Sequence, residues 1–370
     1  MKRVIISVTN DLSTDQRVDR VCSTLVKMGF EVLLVGRRRK HSLTLKPRQY
    51  SMKRMRLLCN KGPLFYAEYN FRLFLFILFH KSSLLVSNDL DTLLGTYVAS
   101  KFKRVPIVHD CHEYFRGVPE LNGRPGASSA WKWIEDRIFP KLHFVYAVND
   151  SIAEIYSKEY GNEIHVIRNV PVTREKIVAK NKSDLGIPAD TMIILYQGAV
   201  NVDRGLDEAI QAMKFVTIKT QLLIIGTGDV IGKLKDLAIK EKVTDKVIFT
   251  GAIPFEDLYE YTRMADIGLS IEKDVSLNYH FCLPNKFLDY IQARIPVLVT
   301  PLPEMKAIVD KYQIGEFIEG HDPQYLATKF ESMLNSDKLP VYRENLELAA
   351  AELCWEKEEQ QLKDIYLPYV

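Results

Sequence analysis

Five cysteines are few for 370 residues, and Cys22, Cys59, Cys111, Cys282 and Cys354 are scattered, with no two at metal-ligand spacing. That leaves no disulfide framework and no zinc site, and it reads as reduced thiols in a cytosolic protein. Biased tracts are missing, and 47% hydrophobic with 26% charged residues is ordinary globular composition. Long apolar runs are missing too. The richest, LFYAEYNFRLFLFILF (64–79), has 16 residues with Glu68 and Arg72 inside, too short and too charged to span a bilayer. The opening MKRVIISVTND breaks at Asn10 and Asp11, so it reads as a first buried strand and not as a signal peptide. Basic residues do not interleave with aromatics and no recognition motif occurs, so nucleic acid is not an expected partner. The one Gly-x-Gly after a strand, Gly226 to Gly228, lacks its third small residue, because Gly232 falls one position late. A dehydrogenase fingerprint is thereby incomplete.

Charge is present but unevenly spread. Residues 1–170 hold 27 Lys/Arg against 16 Asp/Glu, a net +11, and residues 171–370 hold 23 against 31, a net −8. The basic residues cluster at 37–40, at Lys46 and Arg48, at Lys53, Arg54 and Arg56, and at Lys101, Lys103 and Arg104. A basic half of this kind suits an anionic surface. The 64–79 segment, flanked by Lys61 and Lys81, points to a membrane surface as that partner, on the inner face of the membrane. Two readings of the segment stand: an interfacial helix or a buried core helix.

Strand-like runs rich in Val, Ile and Leu alternate with helix-length stretches. The first series is 4–8, 31–36, 83–88, 106–110, 144–149 and 165–169. A second begins at 193–198 and continues at 221–226, 246–251, 267–271 and 296–300. Such alternation means parallel sheets covered on both faces, here in two doubly wound, Rossmann-like domains of an α/β protein. The break falls near Asn169-Val170-Pro171-Val172. Domains are expected at 1–170 and 171–345, with 346–370 a terminal segment in which roughly 346–366 is one amphipathic helix, of a kind that can pack back across both domains.

Ligands of open α/β sheets bind beyond the carboxyl ends of the strands. Three constellations lie there. Gly198 to Gly205 follows a strand, with Gly198 for a tight turn and Arg204 as a planar fork of donors for phosphate oxygens. Gly226 follows the next strand. In LPNKFLDYIQARIPVLVTP (283–301), Pro284 suits the first helical position, with Asn285 and Lys286 at the second and third. The N–H groups of that first turn lack an intrahelical acceptor and lie at the positive end of the helix dipole, which favours an anion. Asp289, one turn on, shares the face of Asn285. A phosphate and a hydroxylated ring would both find partners there. Taken singly, each constellation is also compatible with an ordinary strand–turn–helix.

The order of motifs is more specific. IILYQG-x5-RG, LLIIGTG, VIFTGAIPFEDLYEYTRMADIGLS and LPNKFLDYIQARIPVLVT resemble the donor half of the family 4 glycosyltransferases. DQRVDRVCSTLVKMGFEVLLVGR, SNDLDTLLG and VHDCHEYF resemble the first half of the same family. The resemblance covers essentially the whole chain. It implies the GT-B fold, two Rossmann-like domains facing a central cleft with a C-terminal helix crossing back. It also implies a retaining transfer from a nucleotide-sugar donor. The acceptor, a glycan or a lipid-diphosphate-linked sugar of the kind used in surface polysaccharide synthesis, is expected from the basic first half and its aromatic, basic-flanked 64–79 segment. A UDP-sugar is the favoured donor, with a GDP-sugar open. Arg204 then matches the basic group that neutralises the donor diphosphate, Asn285 sits where a backbone amide meets phosphate, and Asp289 holds the ribose. His112 matches the histidine that faces the reacting centre, with Asp110 and Glu113 flanking it on the acceptor side.

Three departures stand out. Phe281 occupies the first acidic position of the family's pair, Asp289 replaces the usual Glu, and Ala209 stands where a second basic residue is common. Lys286 is the candidate for the missing charge, and Asn278, Tyr279 and His280 are the nearest polar groups for the sugar. His112, Arg204 and Lys286 are thus the expected catalytic set. Donor binding falls to Gly198, Arg204, Gly226, Pro284, Asn285, Lys286 and Asp289. No cofactor and no metal are expected, since the nucleotide sugar is a substrate and Asp89-Leu90-Asp91 reads as a strand-end loop. The rival readings are a nucleotide-sugar-binding protein without turnover and a nucleotide-sugar epimerase.

Overall fold

The computed structural model describes every residue except 14, 41, 119–120, 122 and 175–177. The chain packs as two units. Unit 1 is Met1–Asn169 with Ser276–Asn278 and Glu358–Val370, and unit 2 is Val170–Val275 with Tyr279–Lys357.

In unit 1, β1 (Arg3–Ser7), β2 (Glu31–Arg38), β3 (Ser51–Arg56), β4 (Leu84–Asn88), β5 (Ile107–Cys111), β6 (Phe144–Ala147) and β7 (Ile164–Val166) form one sheet. Its order is β3-β2-β1-β4-β5-β6-β7, parallel throughout. β1 and β4 at its centre are buried almost end to end, which is why they read as unbroken Val/Ile/Leu runs. The helices are α1 (Gln16–Lys27), α2 (Gly62–Phe79), α3 (Leu90–Lys103), α4 (Pro125–Ile138) and α5 (Asp150–Tyr160). α1 starts where Asp15 accepts the Val18 N–H, and α5 starts where Asn149 accepts the Ile152 N–H. Phe65, Tyr69, Leu73 and Ile77 of α2 recur every four residues and pack on Ile5, Val35 and Leu85. α2 is therefore a core helix along one face, while its Phe71 and Phe79 stand in solvent.

In unit 2, β8 (Met192–Gln197), β9 (Thr220–Ile225), β10 (Val247–Gly251), β11 (Ile267–Ser270), β12 (Val297–Val299) and β13 (Gly315–Phe317) run parallel in the order β10-β9-β8-β11-β12-β13. The helices are α6 (Leu206–Ala212), α7 (Ile231–Lys240), α8 (Phe255–Thr262), α9 (Leu277–His280), whose Leu277 and Asn278 count with unit 1, α10 (Asn285–Ala293), α11 (Pro303–Tyr312), α12 (Pro323–Leu334), α13 (Leu339–Glu352) and α14 (Trp355–Tyr366). Two apolar cores cover the sheet. One is built around Phe287, Tyr290 and Ile291 and takes Leu223 of β9. The other is built around Ile210, Met213 and Phe330 and takes Leu222 and Ile224 of the same strand. Successive β9 side chains thus enter opposite cores, as the strand period of two requires.

The sheets differ from expectation at their edges. β3, SMKRMR, is a strand despite three basic residues, because an edge strand can turn charges to water. β13 has only three residues, too few to show a pattern. The single C-terminal helix expected over 346–366 is instead two. Leu353 leaves the helical region at φ −95° and ψ 64°, and the Trp355 N–H is given to the Pro171 carbonyl at 2.8 Å. From Glu358 onward α14 belongs to unit 1, where Glu358 accepts the Arg168 N–H at 2.8 Å and Tyr366 meets Tyr146, hydroxyl to hydroxyl, at 3.2 Å.

Candidate active site

The donor-side residues of unit 2 gather at the carboxyl ends of β8, β9 and β11. The loops after β8 and β9 pass so closely that a Cβ on Gly226 would lie 1.9 Å from the Gly198 carbonyl oxygen. Gly226 also has φ +139°, so only glycine fits both demands. The β8 loop then turns through Asp203 (φ +64°) and Gly205 to start α6, carrying Arg204 into the site.

Arg204 shares a buried carboxylate with Lys286. Glu272, just past β11 and 0% exposed, lies 3.5 Å from Arg204 Nη1 and in direct contact with Lys286 Nζ. Burial opposes ionisation of Glu272, but the adjacent Lys286 and then Arg204 outweigh it and hold its pKa below the usual carboxylate range. The Arg204 guanidinium lies 4.7 Å from the Tyr279 ring centroid, and Lys286 Nζ lies 4.6 Å from that of Tyr196. Arg204 Nε is buried and finds no acceptor among the described residues. A guanidinium with an unsatisfied buried donor beside a strand-end glycine turn is suited to an anion.

Asp289 is held from the other side. Its carboxylate accepts Gln197 Nε2 at 3.1 Å, and Gln197 Oε1 accepts the Thr262 hydroxyl at 2.7 Å. β8, α8 and α10 thereby fix one carboxylate. Pro284 is the N-cap of α10 with extended ψ 138°, so Asn285 and Lys286 fall at the first and second helical positions, each one earlier than expected.

In unit 1 a cluster of ionisable groups surrounds His112. Arg17 of α1 grips Asp110 through Nε at 3.0 Å and Nη2 at 2.6 Å, and gives Nη1 to the Ile167 carbonyl at 2.7 Å. Asp110 in turn faces His112 Nε2 at 3.0 Å, as does Asn88 Oδ1. Asp89, at φ +57°, accepts the His112 backbone N–H at 2.7 Å and lies 3.6 Å from Nδ1. Asp91 accepts the Thr9 hydroxyl at 2.5 Å. Burial opposes the imidazolium, but Asp110 and Asp89 outweigh it and raise the His112 pKa to about 9. Burial raises Asp89 to about 8 and Asp91 to about 7. Burial works against the Asp110 carboxylate, yet Arg17 and His112 hold its pKa well below the usual range. Glu113 accepts Asn278 Nδ2 at 3.0 Å.

The expected donor residues thus share one end of one sheet, and Asp110, His112 and Glu113 share one end of the other. Two expectations change. Lys286 does not stand open for phosphate: it is 8% exposed and already neutralised by Glu272. Asp89-Leu90-Asp91 is more than a loop at a strand end, because Asp91 is buried and the half-buried Asp89 bonds the His112 backbone N–H. Of the polar groups beside Phe281, Asn278 is engaged by Glu113, Tyr279 by Arg204 and His280 by Asp274. Glu272 was missed. Its only signal was a lone acid directly after the apolar strand IGLSI.

The glycosyl transferases group 1 family model matches residues 178–350, and the glycosyltransferase family 4 model matches residues 15–170. The D-inositol 3-phosphate glycosyltransferase of Xylanimonas cellulosilytica is 22% identical over 301 residues, 73% of this chain and 68% of that protein. Sucrose-phosphate synthase from Thermosynechococcus elongatus superimposes with a TM-score of 0.79 at 17% identity, over 100% of this chain and 99% of its own. Anabaena HepE in complex with UDP-glucose gives 0.76 at 12% identity over 100% of both chains. At such identities the structural likeness establishes the fold, which is GT-B. With both halves of the chain matched by their family models, the protein belongs to the family 4 glycosyltransferases.

Proposed function

We propose that the protein moves a hexosyl group from a nucleotide-diphosphate sugar to a glycan or lipid-linked acceptor in surface polysaccharide synthesis, with retention at the anomeric carbon. The observation that carries this reading is Arg204, whose buried Nε lacks an acceptor among the described residues while its guanidinium sits at the strand-end glycine turn. A donor diphosphate would accept from Arg204 and from the first-turn amides of α10, and the ribose hydroxyls would meet Asp289. As the diphosphate leaves, these fixed donors act on the growing negative charge. The leaving phosphate oxygen takes the acceptor proton, so no separate base is required. His112, an imidazolium at neutral pH, serves as a hydrogen-bond donor to the sugar.

A UDP-sugar is the favoured donor, supported by the solved HepE complex with UDP-glucose, and a GDP-sugar is the alternative. The transfer proceeds without a metal ion. No helix among the described residues is long and apolar enough to cross a membrane, and the basic character of residues 1–170 supports a peripheral place on the inner membrane face.

Thermal-shift screening against UDP- and GDP-sugars tests the donor, because a ligand that binds only the folded state raises its stability with affinity. A midpoint raised by one nucleotide class, followed by donor turnover that persists in EDTA, is expected. Activity lost in EDTA and restored by manganese would refute the metal-free route. Binding with no turnover over any acceptor would favour the non-catalytic reading.

A further inference from the structure

Unit 1 contains a cavity of about 770 Å³ that none of the donor-side chemistry uses. α2, α3 and α4 line it, with Tyr66, Phe71, Phe74, Val98, Phe115 and Trp131 on its walls. Its volume lies within the roughly 300–1,000 Å³ of small-molecule sites. The Tyr66 and Phe115 rings each meet Trp131 edge-on at 5.0 Å, which makes an aromatic floor. Asn70 spends its amide inside the wall, giving Nδ2 to the Tyr66 and Asp91 carbonyls and accepting the Gly95 N–H. Water placed there would find few partners, so the space suits hydrocarbon.

We propose that this cavity holds the hydrocarbon tail of the acceptor. The inference rests on the transferase reading above and adds the substrate class to it: an amphiphile with an anionic head. Continuity with the His112 cluster supports this occupant. Phe115 and Val118 of the wall lie three and six residues after His112, and the Asn70 bond to the Asp91 carbonyl ties the wall to the same cluster. A tail seated here leaves its head beside the reacting end of unit 1. Charge agrees, since the exposed Arg124 lines the cavity and Lys61 immediately precedes α2. Phe71 of the wall is 62% exposed, and Phe102, packed edge-on against Phe74 of the wall, is 71% exposed. Such a skirt gives a lipid an apolar path from a bilayer surface.

The test uses the full chain carrying Trp133→Phe, which leaves Trp131 as the tryptophan at the cavity. A brominated dodecyl phosphate, below its micelle concentration, should quench its fluorescence saturably. Filling the cavity with Ala67→Phe and Ala127→Leu should weaken this quenching roughly tenfold, the equivalent of about two buried methylenes. In transfer assays the same filling should raise KM for a long-chain acceptor relative to a short-chain acceptor with the same head. Phe71→Ala, at an exposed position, should raise that ratio in the same direction and guards against misfolding of the filled variant. Absence of saturable quenching overturns the proposal, as does quenching by intact brominated vesicles alone, which would mark the patch as a membrane contact. An equal KM change for both acceptors also overturns it. Donor turnover absent in the native chain with quenching intact would instead remove the transferase reading and leave only a hydrocarbon site.

Discussion

Arg204 and Glu272 show how one buried carboxylate can hold a binding site together before its ligand arrives. Taking charges out of water is costly, and the cost is met here by pairing Glu272 with both cations. In the proposed reaction a donor diphosphate would compete with Glu272 for Arg204, which would then be the side chain whose charge changes partners. Arg204→Ala should lower kcat/KM a hundred- to a thousandfold, about 3 kcal/mol of transition-state stabilisation. Steady-state kinetics with a fixed acceptor measure it, and unchanged turnover would refute the role. Glu272→Gln acts differently. It leaves Lys286 with an unpaired buried charge, a loss of about 3–5 kcal/mol where a buried pair is broken. The free protein should melt earlier, while nucleoside diphosphate, by replacing the missing anion, should raise the midpoint more than it does in the native chain. Equal ligand shifts in the two proteins would show that Glu272 and the diphosphate do not share partners. Arg204 was legible in the sequence because it sits at a fixed distance from a glycine turn. Glu272 was not, because a single acid after a strand looks the same whether it faces water or two cations.

At the scale of elements, the strands and turns that place the site were the readable part. β1, β4, β8 and β9 are nearly continuous apolar runs, since helices cover both faces of each sheet. β3 was hidden because its basic residues match its exposure at the sheet edge, not any burial. The break between α13 and α14 was hidden for another reason: the sequence around Leu353 and Cys354 has no proline or glycine, and the helix ends because Trp355 takes a tertiary partner in Pro171. Gly198 reads from sequence as a tight turn, and at Gly226 the tighter constraint is space. Gly226→Ala places a methyl carbon 1.9 Å from the Gly198 carbonyl oxygen, with backbone in the way and no flexible side chain to yield. The β8 and β9 loops must part, moving Arg204. The expected outcome is a lower melting midpoint together with lost nucleotide binding. Gly232→Ala, in α7 with open space around it, should bind as the native protein does. Native-like nucleotide affinity in Gly226→Ala would show that the close approach of the two loops is not what positions Arg204.

Across the whole molecule, charge is divided between the two halves of the chain, and unit 1 also carries the ionisable cluster around His112. That cluster makes the stability of the chain depend on pH in a definite direction. His112 is raised to about 9, so its contribution is complete below about pH 6.5 and is lost as pH rises through 9. Asp89 and Asp91 are raised by burial to about 8 and about 7, so the folded state favours their protonated forms. That advantage is complete only below the unfolded carboxyl pKa, and it is gone once pH has risen through those two values. Asp110 acts oppositely: held low by Arg17 and His112, it contributes above its unfolded pKa and fails only as pH falls into the acid range. The three raised groups therefore agree in sign on the alkaline side of neutrality, with His112 the last to be lost. Thermal unfolding followed at about pH 6.5, 7.5 and 9 should show a midpoint that falls at each step. Asp89→Asn, which removes one titrating carboxylate and one partner of His112, should flatten the slope. A midpoint that rises toward alkaline pH would mean that His112 stands neutral in the folded protein, and its assignment as a hydrogen-bonding cation at the sugar would fall with it.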